Sequence, residues 1–307
     1  MMRLRGLRRV AALLAALFML CAALAEGPVS AYVENEWNYV DGAMDVTDGI
    51  PEDAEGALWK IRQAGVLRVA TEPYFPPQEF MDPGKTGQDC YVGSDMELAR
   101  RIAQRMGVAL EIVPMSFSEV LDAVSEGTCD LAISALSYTP GRAAQVTMSK
   151  GYFFAGESAG SGLLIRAEDA GRIKGVEDLK GCDIVAQAGS LQETLMAENV
   201  LKYHEFRRPS QIKGVYWAVE SGEADAAMVD VSSAESYIEQ NPERALMLIP
   251  DARFTPESVY DGDRVAAKKG EYQLMYFVNG VIDELLASGE YQAWYEEYED
   301  LAAGLGM

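Results

Sequence analysis

Histidine is almost missing from this sequence, with His204 the sole one in 307 residues. Its scarcity removes most acid–base and zinc chemistry, both of which lean on imidazole near neutral pH. His204 itself lies in the polar stretch Lys202-Tyr203-His204-Glu205 and reads as a surface residue. Cysteine is scarce too, four in all, without a Cys-x-x-Cys or a Cys/His cluster, so no metal site is expected. Neither a Walker phosphate loop, nor a dinucleotide fingerprint, nor a His-Glu-x-x-His pair occurs, and no cofactor is expected.

Positive charge is in short supply, 26 Lys+Arg against 48 Asp+Glu, a net charge of −22. Such a surface repels phosphate backbones and anionic lipid, so no nucleic-acid partner is expected. No hydrophobic run reaches the roughly 18 residues of a spanning helix. The longest, Val10 to Leu20 with Ala23-Leu24-Ala25 behind it, follows Arg3, Arg5, Arg8 and Arg9. This order reads as a secretory signal peptide, residues 1–25, cleaved after Ala25. Cys21 offers a competing reading as a lipid anchor, although Leu20 stands where a lipoprotein signal has a small residue. The protein is therefore expected to be exported, periplasmic or extracellular, and associated with the cell surface. Three cysteines remain after cleavage, Cys90, Cys129 and Cys182, enough for one disulfide at most.

What is present is a length suited to two lobes, with 49% hydrophobic residues to build their cores. Residues 26–57 carry nine acids and no Lys or Arg and read as an acidic extension, a poorly ordered tether or lid. Trp37, Tyr39 and Val40 are the side chains in it that could dock on the main body. From Leu58 onward strand and helix signals alternate. Val66–Thr71, Ala109–Val113 and Leu131–Ala135 are β-rich. Ser94-Asp95-Met96-Glu97 and Ser116-Phe117-Ser118-Glu119 have capping-box spacing ahead of amphipathic runs that stop at Gly107 and Gly127. The pattern restarts beyond the Gly/Ser-rich stretch 156–162, with strands at Asp183–Gln187 and Asp225–Asp230 and helices at 190–199, 211–221 and 232–240. Helices close the chain from Glu271. This is the grammar of an α/β protein with mostly parallel sheets covered by helices.

Three polar features fall at strand ends, where open α/β sheets hold their ligands. Arg142, closing Ser137-Tyr138-Thr139-Pro140-Gly141, offers a fork for a carboxylate, or else is a solvated turn residue. Gln187-Ala188-Gly189-Ser190 runs from strand to helix start, able to hold an anion or simply to cap the helix. Asp230 ends an apolar strand, where a carboxylate wants a cation or serves as the next helix's cap. Together they suit a small zwitterion.

In these motifs the sequence resembles the amino-acid-binding family of solute-binding proteins of ABC importers, over Trp59 to Leu301. Gly65 to Thr71 with Tyr74-Phe75-Pro76-Pro77, Gly93 to Ala99, Asp130 to Arg142, Gly189 to Glu193 with Gly222 to Asp230, and Ala267 to Gly270 with Val278-Asn279 are similar to its successive signatures. The resemblance implies a two-lobed periplasmic-binding-protein (Venus flytrap) fold. Lobe 1 would comprise residues 58–160 plus 252–307 and lobe 2 residues 161–251, with hinge crossings near Ser161–Leu164 and Leu248–Asp251. It implies that Arg142 binds the ligand α-carboxylate with Ser137 and Ser190, that Asp230 takes the α-ammonium, and that Phe75 stacks on the ligand side chain. Glu72 stands where some members keep an acid against a cationic side chain. The implied partners are an amino acid and an ABC permease with its ATPase, met by a monomer that is not an enzyme. Ser94, Gln78, Leu191 and Ala135 depart from the family pattern and bear on side-chain specificity. Two alternatives stay open: an enzyme like cyclohexadienyl dehydratase, with Glu72 or Glu79 as general acid, and a ligand sensor for a membrane receptor.

Overall fold

A computed structural model describes residues 38–156, 160–254 and 262–307. The expected signal peptide, Cys21 and Trp37 lie outside the described residues. Helix α1 (Gly56–Ala64) leads into β1 (Val66–Thr71), the small hairpin β2 (Phe80–Met81) and β3 (Tyr91–Val92), and α2 (Ser94–Met106). Then come β4 (Ala109–Pro114), α3 (Phe117–Glu126), β5 (Leu131–Ala132), α4 (Pro140–Gln145) and β6 (Val146–Phe153). The next set is β7 (Ser161–Arg166), β8 (Asp183–Val185), α5 (Leu191–Asn199), β9 (Glu205–Arg207), α6 (Ile212–Glu220), β10 (Ala226–Asp230), α7 (Val231–Gln240) and β11 (Leu246–Phe254). The chain then adds β12 (Asp263–Lys268), α8 (Tyr272–Ser288) and α9 (Glu290–Leu305).

These strands make two five-stranded sheets, ordered β4-β1-β5-β12-β6 and β11-β7-β10-β8-β9. Each sheet is mixed, with two parallel and two antiparallel pairings. The antiparallel members β6, β7, β11 and β12 are the strands at which the chain leaves one sheet and enters the other. A chain that crosses over and comes back must run its exit and return strands in opposite directions. By direction, four strands of each sheet run one way and a single strand, β12 in the first and β7 in the second, runs against them, so the mostly parallel set carries one reversed strand per sheet. The expected hinge segment Ser161–Leu164 lies in β7 and Leu248–Asp251 in β11, with Leu248 paired to Leu164 and residues 249–251 inside a register shift. The irregularity around Pro250 is a register shift in β11 between Leu248 and Arg253, the bulge that proline imposes on an edge strand.

The first sheet packs on α8, which buries Leu274, Phe277, Val278, Val281, Ile282 and Leu285, and on α2, whose Met96, Ala99, Ile102, Ala103 and Met106 form the expected buried face. The first capping box does not form. Gly93 stands at the helix entrance with φ +121°, and a Cβ there would lie 2.2 Å from the Gln78 carbonyl oxygen. Ser94 is pulled inside to hydrogen-bond Tyr291, and Glu97 accepts from Arg100 and Tyr298. The second box does form at its acidic end, since Glu119 accepts from the Ser116 amide at 3.1 Å.

The acidic extension is not a loose tether over its described part. Val40, Val46 and Ala54 are buried in the main core cluster of the first sheet. Asn279 of α8 donates to the carbonyls of Val40 and Gly42, both at 2.8 Å, and accepts from the Lys150 amide at 3.1 Å. Acidic composition hid this because three small apolar contacts, plus backbone groups bonded to one asparagine, suffice to seat a strap. Asn279→Ala would leave buried carbonyls unpaired, each costing about 1–3 kcal/mol. Urea unfolding is expected to show a loss of about 2–4 kcal/mol. A loss under about 0.5 kcal/mol would mean the strap is held by other contacts.

Cys90, Cys129 and Cys182 are all buried and unpaired. Among the described residues no helix is long and apolar enough to cross a membrane.

Candidate functional site

The strand ends converge on one cavity. Its lining includes all six residues singled out from the sequence, Glu72, Phe75, Ser137, Arg142, Ser190 and Asp230, drawn from both sheets' loops. Glu72 follows β1, Ser137 follows β5, Gln187 follows β8, and Asp230 is the last residue of β10. A parallel strand pair exposes its carboxyl ends side by side, so each successive loop delivers one polar group to the same mouth.

Arg142 lies in the first turn of α4, where its amide donates to the Thr139 hydroxyl at 3.1 Å. The guanidinium donates from Nη1 to the Ser137 carbonyl at 2.7 Å and from Nη2 to the Gly189 carbonyl at 3.1 Å. The first bond stays beside the first sheet and the second reaches the loop that opens α5. Gly189 comes close because it lacks a side chain: its φ is +77°, and a Cβ would meet the Ser118 Cα at 2.9 Å. Arg142 is 7% exposed, and burial lowers its pKa to about 10, partly offset by the charge of Asp263. It is no solvated turn residue. Two of its five N–H groups hold backbone carbonyls.

Ser190 and Asp230 perform the capping roles as well as lining the cavity. Ser190 Oγ accepts from the Glu193 amide at 3.0 Å and donates to the Gln187 carbonyl at 2.8 Å. Asp230 Oδ1 accepts from the Ser233 amide at 2.9 Å and the Ser232 hydroxyl at 2.7 Å. Burial raises its carboxyl pKa despite those donors.

The rest of the wall is acidic. Glu72 and Glu79 are each 1% exposed, joined through Ser134, whose hydroxyl accepts from the Glu72 amide at 3.1 Å and donates to Glu79 Oε1 at 3.0 Å. Burial pushes the Glu72 carboxyl up to about 7, against the pull of the Gln187 amide, the Ile212 N–H and Lys213. The Glu79 carboxyl is also raised well above the usual carboxylate range, by burial first and by the neighbouring Asp95, Glu72 and Asp263. Asp95, also buried, accepts from the Ala135 amide at 2.9 Å and from the Tyr152 and Tyr291 hydroxyls, both at 2.7 Å. That amide bond holds Ala135 at φ +44°, a conformation costing an alanine about 1 kcal/mol, and so sets the loop from Ser134 to Ser137.

Sequence reasoning missed Asp263, Tyr138 and Phe153 in the lining. Asp263 opens β12, pairs by a bridge with Ser137, and its carboxylate accepts from the Gln78 amide at 2.8 Å. Its one signal in sequence is an acid ahead of the apolar run Val265-Ala266-Ala267, which resembles a solvated strand start. No group of three or more His, Cys, Asp or Glu side chains suited to a metal ion occurs among the described residues.

Two lobes, each an α/β sheet, facing each other across a polar cavity define a two-lobed ligand-binding protein. Residues 67–300 match the bacterial extracellular solute-binding proteins, family 3, and the chain belongs to that family. It is 29% identical to the arginine-binding extracellular protein ArtP of Bacillus subtilis, over 73% of this chain and 82% of that one. To the L-cystine-binding protein TcyJ of Escherichia coli it is 27% identical, over 80% and 86%. Among solved structures, an amino acid ABC transporter substrate-binding protein of Streptococcus pneumoniae bound to L-arginine shares 33% identity at a TM-score of 0.70, covering 79% of this chain and 98% of that one. Cyclohexadienyl dehydratase of Pseudomonas aeruginosa is 27% identical over 62% of this chain and 68% of its own, so the relatives include an enzyme.

Proposed function

We propose that the protein, exported by residues 1–25, captures an amino acid with a cationic side chain between its lobes and delivers it as a monomer to an ABC permease and its ATPase. The observation that carries the reading is charge: four carboxylates, Glu72, Glu79, Asp230 and Asp263, line a cavity in which Arg142 is the one Lys or Arg among the described residues. Arg142, helped by Ser137 and the α5 start at Ser190, takes the α-carboxylate, and Asp230 takes the α-ammonium. Phe75 flanks the side chain, and Glu72 and Glu79 meet its positive end. The arginine-binding relatives support the same ligand class. Contacts such as Arg142 to Gly189 form only with the lobes together, so ligand shifts the population toward closure.

A thermal-shift screen of protein stripped of carried-over ligand tests the reading. At about 100 times its dissociation constant a ligand adds roughly 2.7 kcal/mol. Arginine, lysine and ornithine are expected to raise the unfolding temperature, and silence across all amino acids would overturn the proposal. The second reading, an enzyme, draws on Glu72 and Glu79, whose raised pKa values keep protons available near neutrality as a general acid requires. Against it, the sole histidine is exposed and bonded to Asp183 at 2.6 Å. Gly156 to Gly160 has Gly-x-Ser-x-Gly spacing, but Ser158 lies outside the described residues. Turnover of a bound cyclohexadienyl amino acid would decide for the enzyme.

A further inference from the structure

The acids of the cavity outnumber what the proposed ligand contacts use. Asp230 answers an α-ammonium, and a side-chain cation is met by Glu72 and Glu79, whose Oε1 and Oε2 oxygens respectively are buried without any hydrogen-bond donor. Asp263 is left over. Its backbone bridges Ser137 and is paired across to Phe153, which places it in the first lobe beside the Arg142 end of the cavity. Its side chain is aimed by the Gln78 amide at 2.8 Å, and Gln78 is itself 4% exposed. A glutamine buried for one bond to one carboxylate fixes that carboxylate's direction. Both residues line the cavity.

We propose that Asp263, braced by Gln78, is a specificity-determining residue that makes this pocket select ligands of net positive charge over neutral ones of the same shape. The inference rests on the amino-acid reading above. Of the four lining acids Glu72, Glu79, Asp230 and Asp263, each one beyond the first that ionises leaves a negative charge that Arg142 does not compensate. A neutral zwitterion brings none of the positive charge that would offset them, whereas each extra ligand cation offsets one. Asp263 is the lining acid whose backbone bridges Ser137, so it loads that excess onto the end of the pocket where Arg142 alone would favour an anion. The Asp263 carboxyl is held at about 7 mainly by burial, lowered by Gln78 and Arg142 and raised by Asp95 and Asp230, so it is largely available to ionise when a cation arrives.

Arginine and citrulline differ by one charge at nearly constant shape, and calorimetry with both on wild type, Asp263→Asn and Gln78→Met tests the proposal. Wild type is expected to prefer arginine by at least tenfold. Asp263→Asn should cut that preference about tenfold by weakening arginine while citrulline changes less than threefold, and Gln78→Met should move it the same way by a smaller factor. Asp230→Asn, in contrast, should weaken both ligands alike. An unchanged arginine-to-citrulline ratio in Asp263→Asn, or equal weakening of both ligands, would overturn the role of Asp263 while leaving the amino-acid reading intact. Wild type that binds neither ligand nor any other amino acid would overturn the underlying reading and this one with it. Asp263→Asn keeps the shape and the Gln78 contact, and its unfolding temperature without ligand should stay within a few degrees of wild type.

Discussion

Arg142→Ala is expected to weaken amino-acid binding by roughly 100- to 1000-fold. The loss follows from what the guanidinium does in the cavity. It is buried, with 7% of its surface exposed, and is the one Lys or Arg among the described residues that line the cavity. Truncating one partner of a buried hydrogen-bonded charge pair costs about 2–5 kcal/mol, and each 1.4 kcal/mol is tenfold. The bond to the Gly189 carbonyl disappears as well, so the variant should also close less readily. Arg142→Lys separates the two contributions, because lysine restores a charge but not the planar fork. Recovery of no more than about tenfold of the lost affinity is expected by calorimetry. Wild-type affinity in Arg142→Ala would mean the carboxylate is held elsewhere, with the α5 start at Ser190 the remaining candidate.

The second large effect is a pair of opposite pH dependences. The Glu72 and Asp263 carboxyls sit at about 7 in the folded protein, raised chiefly by burial, and the Glu79 carboxyl is raised well above the usual carboxylate range as well. In the unfolded chain such groups titrate near 4. Between these limits the folded state holds more protons than the unfolded one, so stability without ligand falls as pH rises through that window. For Glu72 the shift corresponds to an upper limit of about 3 kcal/mol, at 1.36 kcal/mol per unit. Ligand binding runs the other way, since a cation needs these groups ionised. With a carboxyl at about 7, only roughly 3% is ionised at pH 5.5, so arginine should bind about 10- to 100-fold more weakly there than at pH 8, and binding near pH 6.5 should release protons. Calorimetry in buffers of different ionisation enthalpy counts those protons. Glu72→Gln should flatten both trends, raising unliganded stability above pH 7 and reducing proton release. Affinity independent of pH from 5.5 to 8 would mean that these acids do not meet the ligand.

The parts of the site that were legible in the sequence are those set by local rules. Arg142, Ser190 and Asp230 each sit where a strand gives way to a helix, and the residue types that suit a cap or a fork are visible without a fold. Glu72 and Phe75 came from likeness to a family motif that covers their loop. Asp263 was hidden because its importance depends on pairing with Ser137 and on Gln78, 185 residues away in sequence. Burial of Glu79 was hidden for a related reason. An acid in Gln78-Glu79-Phe80 reads as exposed, whereas the folded chain buries it beside Ser134, 55 residues away in sequence, whose hydroxyl donates to it. At the level of the fold, the period of α2 and α8 announced their buried faces, whereas Ser94-Asp95-Met96-Glu97 had the letters of a cap and a tertiary use for each. Likewise, composition argued for a loose acidic strap, and only Asn279 reaching back over 237 residues to the Gly42 carbonyl shows how it is seated.

A crystal structure of the stripped protein soaked or grown with arginine tests the central claim most directly. Arginine is expected between the two sheets with its α-carboxylate on Arg142, its ammonium on Asp230, and its guanidinium against Glu72 and Glu79. An arginine bound outside this cavity, or bound within it with its carboxylate turned away from Arg142, would contradict the account.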